Sequence, residues 1–141
     1  MLKHARTVLF TIFQFLPLLA IWTGVSWGAF LFGCLIYSLC VFGVTAGYHR
    51  YFSHRSFSTS RPFQFLLAVL GSMSIQKGVL WWSSTHRDHH RYSDKKEDPH
   101  SPIQKGFWWS HIGWIFSEQH MDTACHRIKD MAKFPELRWL D

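Results

Sequence analysis

Residues 7–48 read TVLFTIFQFLPLLAIWTGVSWGAFLFGCLIYSLCVFGVTAGY and contain no Lys, Arg, Asp or Glu. A soluble domain seldom keeps so long a stretch uncharged, because its helices need a wet face. About 20 apolar residues cross a bilayer, so the stretch has length for two spans. The small and polar run Thr23-Gly24-Val25-Ser26 marks the break between them. The sequence therefore predicts an all-α integral membrane fold that opens on a two-helix transmembrane hairpin, residues 7–22 and 27–48, with the first helix bent at Pro17. Trp22 and Trp27 flank the uncharged connecting loop, where aromatic residues favour a membrane interface. A cleaved leader fits less well, since no small-residue cleavage site follows and a second apolar run comes almost at once.

Charge lies outside this stretch. Lys3 and Arg6 precede it, and Arg50, Arg55 and Arg61 follow it. By the positive-inside rule both outer ends of the hairpin face the cytoplasm. A third apolar run, Pro62–Ile75, is short for a span. If it crossed, the histidines on either side would be separated by roughly 30 Å of hydrocarbon. It reads instead as an interfacial helix near 62–75. The remainder, 49–141, reads as a cytoplasmic helical cap. It holds a solvated turn at Lys95–Pro99, an aromatic stretch from Gly106 to Phe116 that lies on the membrane, and a helix between Met121 and Lys133.

The 141 residues carry a net charge of +6 with histidine neutral. No nucleic-acid motif is present, and the basic residues flank apolar segments. They suit anionic lipid head groups or an anionic substrate head better than nucleic acid. The three cysteines, Cys34, Cys40 and Cys125, show no CxxC spacing, which fits a reducing cytoplasmic face.

Ten histidines are present, and five form two runs. His49 and His54 are spaced HxxxxH in HRYFSHRSF. His86, His89 and His90 are spaced HxxHH in HRDHHRYSD. On a helix, positions i, i+3 and i+4 share a face, so the second run points three imidazoles toward one centre. Five residues carry an α-helix about 140° past its starting direction. The HxxxxH pair therefore needs a helix end that unwinds, or its two rings serve different metals. Neutral imidazole suits zinc, copper, iron and nickel. The zinc motif HExxH is absent, because Arg50 and Arg87 follow the leading histidines, and no cysteine lies near as in a structural zinc site. Iron fits better. Asp88, Asp94, Glu97 and Asp98 stand ready to take the far N–H of a ligand ring. His100, His111, His120 and His126 are isolated and read as structural or exposed, and His4 as an unimportant terminal residue.

Three stretches, GYHRYFSHRSF (47–57), THRDHHRYSDKKEDPHSP (85–102) and GFWWSHIGW (106–114), resemble the membrane fatty acyl desaturases of the stearoyl-CoA desaturase type. The resemblance runs from the hairpin to about Phe116. It implies an oxidoreductase that inserts a cis double bond, typically at Δ9, into a saturated acyl chain. The reaction uses O₂ and two electrons from a separate redox protein such as cytochrome b5 or a ferredoxin. It implies a di-iron centre with His49, His54, His86, His89 and His90 among its ligands, and an acyl tunnel whose bend is lined by Gln76 and Trp82. Asp88, Asp94 and Asp98 are the expected partners of the ligand rings. Ser84 stands where the animal enzymes carry an arginine that contacts coenzyme A, so an acyl carrier protein or a lipid ester joins CoA as a candidate carrier. The family has a third histidine box after two further membrane helices, so the chain reads as an N-terminal fragment that is inactive alone, from a bacterial inner membrane rather than the endoplasmic reticulum. Two other readings keep the histidines: a membrane hydroxylase or ketolase, and a non-catalytic metal-binding fragment. A cation transporter is disfavoured, because the uncharged helices carry no ionisable residue at depth.

Overall fold

The computed structural model describes residues 2–141, with side chains from Val8 onward. The flanking charges Lys3 and Arg6, and the terminal His4, lie outside the described side chains. Among the described residues every regular element is helical. The chain divides into one unit up to Ile36 and a second from Tyr37 to Asp141.

In the first unit, α1 (Leu2–Phe15) passes at Pro17 into a 3₁₀ turn, Leu16–Leu19, and a last turn, Ala20–Thr23. Proline removes a backbone donor, and the tighter turn is the local answer. Gly24 takes φ +69°, a left-handed conformation that ends the helix. Ser26 then caps the next helix by accepting from the Ala29 N–H at 3.2 Å. That helix, α2 (Trp27–Phe42), begins in this unit. None of residues 8–42 is buried, although most are apolar. Trp22 and Trp27 are about four-fifths exposed, at 78% and 80%.

The second unit turns on an irregularity. After Phe42 the helix does not end but widens into a π-helix, Gly43–Ser53. The continuous helix Trp27–Ser53 is long and apolar enough to cross a membrane, and Val8–Thr23 forms a shorter apolar helix. The π segment packs on α3 (Arg61–Ser72), which Ser60 caps. The two backbones meet so closely that a Cβ on Gly43 would lie 2.3 Å from the Leu70 carbonyl carbon. A Cβ on Gly71 would lie 2.3 Å from the Tyr48 ring. Glycine at these points is what lets the helices touch. Tyr48, Phe52, Leu67, Ala68, Val79, Leu80, Ile128 and Leu137 form the buried core around this contact.

From α3 the chain turns through Ile75 and Lys77, both at positive φ, into α4 (Val79–Tyr92). Gly78 gives α4 no side-chain cap. Asp141 supplies one from far along the chain: its Oδ1 accepts from the Leu80 and Trp81 N–H groups, both at 2.8 Å, while Oδ2 accepts from Thr123. A Cβ on Gly78 would lie 2.3 Å from Asp141, so only glycine admits this carboxylate. The short helices α5 (Pro102–Lys105), α6 (Phe107–His111), α7 (Lys129–Ala132) and α8 (Pro135–Trp139) complete the unit.

Two expectations change. The second helix does not stop at Tyr48 but carries His49 within it and ends at Ser53. The helix expected over Met121–Lys133 is broken into a 3₁₀ turn at Cys125–Arg127 and α7, since Ile128, at φ −131°, interrupts the helical run.

Candidate metal centre

The π segment solves the spacing problem of the first histidine run. Its i→i+5 bonding, seen in the 3.1 Å bond from the His54 N–H to the His49 carbonyl, brings residue i+5 over residue i. His49 and His54 then face each other, Nε2 to Nε2, at 3.2 Å. The HxxxxH pair shares one face, against the expectation from α-helical geometry. The second run uses an ordinary α-helix, in which His86 and His90 are one turn apart with Nε2 atoms at 3.0 Å. His54 Nε2 lies 3.2 Å from His86 Nε2 and joins the two runs. The donor nitrogens of His49, His54, His86 and His90 all lie within 4.8 Å of one another, with no carboxylate in the group.

Hydrogen bonding alone does not satisfy this cluster. Each neutral imidazole Nε2 carries either one N–H or one lone pair. Four such atoms make two hydrogen bonds at most. With His49 paired to His54 and His86 paired to His90, the 3.2 Å approach of His54 to His86 has no proton to share. Protonation is disfavoured at the two rings that make this approach. Burial, and then the neighbouring imidazoles, push His86 down to about 3. His54 is lowered by burial and by His49 and His90. Four convergent imidazole nitrogens with no carboxylate among them fit a transition-metal ion.

His89 does not join them. Its Nδ1 donates to Asp98, 3.0 and 3.1 Å from the two carboxylate oxygens. Asp98 is buried, at 1% exposure, and also accepts from the Asp94 and His100 N–H groups. Burial alone would raise its carboxyl, but these bonds hold it below the usual range. The bond to Nδ1 leaves the His89 Nε2 free to face a metal, as in carboxylate–histidine–metal triads. His100 stacks on His89 at 4.2 Å, and burial and His89 lower its titration. His89, Asp98 and His100 form a second group whose potential ligand atoms lie within 4.8 Å. His100, isolated in the sequence and expected to be structural or exposed, is the ring that sequence reasoning missed.

Of the expected ring partners, only Asp98 touches a histidine. Asp88 pairs with Arg127 because it projects from the opposite side of α4. Asp94 accepts from the Ser101 hydroxyl at 2.8 Å. Gln76 and Trp82 meet, with Trp82 Nε1 donating to Gln76 Oε1 at 3.3 Å. The Trp82 indole stacks on His86 at 4.7 Å and meets the His49 ring edge-on at 6.4 Å. Ser84 is buried, with its hydroxyl on the Trp81 carbonyl.

A long apolar helix whose end meets a four-imidazole cluster defines a class, the histidine-rich proteins with a candidate membrane helix and a candidate metal site. Comparison with known proteins narrows it. A profile of the fatty acid desaturase family matches residues 5–140. The chain belongs to the fatty acid desaturase family. It is 41% identical over 120 residues to an acyl-CoA 5-desaturase of Anemone leveillei, covering 82% of this chain and 37% of the relative. It is 37% identical over 148 positions to an sn-2 palmitoyl-lipid 9-desaturase of Nostoc sp. (strain 36), covering 99% of this chain and 50% of the relative. With an acyl-CoA desaturase of Cyprinus carpio it shares 46% over 92 residues, 65% of this chain and 27% of the relative. The chain thus spans half or less of the length of these relatives.

Proposed function

We propose that this chain is the N-terminal part of an O₂-dependent acyl desaturase whose histidines hold iron and whose product is a cis double bond at Δ9. The observation that carries this reading is the unmet approach of four imidazole nitrogens in a chain of the desaturase family. His49, His54, His86 and His90 hold one iron. His89, steadied by Asp98, serves a second iron together with ligands from the rest of a longer protein. Bound iron supplies the capacity to activate O₂ and to break unactivated C–H bonds. In the balanced reaction a CH₂–CH₂ pair gives up two hydrogens, a donor such as cytochrome b5 or a ferredoxin gives two electrons, and two protons enter. O₂ leaves as two waters.

The chain's own residues do the positioning. Trp82, flat against His86 and tied to Gln76, offers the wall on which an acyl chain lies at the bend of its tunnel. Asp98 holds His89 in one tautomer. In this reading 7–22 and 27–48 form a transmembrane hairpin with both outer ends cytoplasmic, and 49–141 forms the cap with an interfacial helix near 62–75. The exposed apolar residues of 8–42 support lipid contact. A bacterial inner membrane is the proposed location. Ser84 offers no cation to a polyphosphate carrier, which favours a lipid ester over CoA or an acyl carrier protein.

The test is expression of the complete protein in a host without its own desaturase, with fatty acids profiled by mass spectrometry. A new 9-monoene that disappears in His86→Ala is expected. A hydroxy acid in its place, or a product that survives His86→Ala, sinks the reading.

A further inference from the structure

Both histidine runs place an arginine directly after the leading histidine, and the two arginines have different surroundings. Arg50 is exposed. The Arg87 side chain is only 20% exposed, and all five of its N–H groups are engaged. Nε donates to the Ser53 carbonyl at 3.1 Å and Nη2 to the Phe52 carbonyl at 2.6 Å. Nη1 and Nη2 grip the two Asp130 oxygens at 2.9 and 3.0 Å, and Nη1 also reaches the Arg127 carbonyl at 3.4 Å.

These partners have a meaning in the fold. Phe52 and Ser53 end the π segment, where carbonyls lack a helical partner and a positive charge is favoured. Arg87 therefore caps the helix that carries His49 while standing on the helix that carries His86. It follows His86 directly, and the carbonyl it binds on Ser53 directly precedes His54. Asp130 is itself held in place: it lies on α7 between the buried Ile128, Met131 and Ala132, and it also takes Arg55, next to His54, at 2.7 Å.

We propose that Arg87, gripped by Asp130, sets the register between the two histidine runs and is a positioning residue for the metal centre. This rests on the metal reading above. Lysine cannot replace it, because an ammonium has three donors and no planar fork.

The test is a Co²⁺ titration of the full chain in detergent, following affinity and the ligand-field absorption bands. Arg87→Lys and Arg87→Met should bind cobalt about 10- to 100-fold more weakly, with shifted bands. Asp130→Asn should move both readouts the same way by less. Arg61→Met, which breaks the bidentate Arg61–Glu136 pair away from the histidines, should move neither. If Arg87→Met does not fold, Asp130→Asn carries the test, since it keeps Arg87 and its carbonyl bonds. Wild-type affinity and bands in Arg87→Lys and Asp130→Asn, with binding lost in His86→Ala, overturn this inference alone. Unchanged binding in His86→Ala overturns the metal reading and this inference with it.

Discussion

The first histidine run sits on a π-helix and the second on an α-helix, and each spacing works only on its own kind of helix. Five residues bring His49 and His54 together because the π segment bonds i to i+5. Four residues bring His86 and His90 together because α4 is regular. His89, three residues from His86, leans away to Asp98. A motif spacing is therefore a statement about ring positions only when the helix type is known.

The comparison breaks most severely at His86, whose Nε2 contacts both runs. His86→Ala should weaken cobalt binding more than about 100-fold, beyond the usual effect of losing an outer partner. His89→Ala should leave binding at the four-nitrogen cluster unchanged. Equal losses in a cobalt titration of the two variants would erase the distinction between the rings. Next in size is Gly43→Ala, whose Cβ would meet the α3 backbone at 2.3 Å. It should cost about 1–3 kcal/mol, read from thermal unfolding in detergent.

A finer probe is Asp98→Asn, which removes the charged acceptor of His89. Stability should fall by about 1–2 kcal/mol. The ¹⁵N shifts of His89 should report a mixed tautomer, while the cobalt bands of the cluster stay in place. The smallest effect is one of pH. Burial raises the Asp130 carboxyl, but hydrogen bonds from Arg87 and Arg55 outweigh it and hold it below its ordinary 3.8. A carboxyl depressed on folding stabilises the protein above its unfolded value and loses that contribution as pH falls through the folded one. Thermal stability should therefore decline below about pH 4, and Asp130→Asn should flatten that decline.

Much of this was legible from residue patterns. The uncharged stretch, the break at Thr23–Ser26 and the placing of His86 and His90 on one helix face follow from local rules of polarity, capping and helical period. The π widening was not, because it depends on the contact of Gly43 with the α3 backbone, which no local pattern reveals. The divergence of His89 and the recruitment of His100 depend on where the Asp94–His100 turn folds back. Asp88, Asp94 and Asp98 look alike as sequence, yet only Asp98 is buried against a ring. The helix expected near 121–133 had suitable composition, but tertiary packing of Ile128 overrode it.

Asp141 ties the start of the histidine-bearing helix α4 to the order of synthesis. The first turn of α4 has no local cap, and its capping carboxylate lies 61 residues downstream of Leu80. At roughly 5–20 residues per second, a ribosome needs several seconds to make that stretch. During this interval the nascent helix that bears His86, His89 and His90 begins without the carboxylate that fixes its first turn in the folded chain.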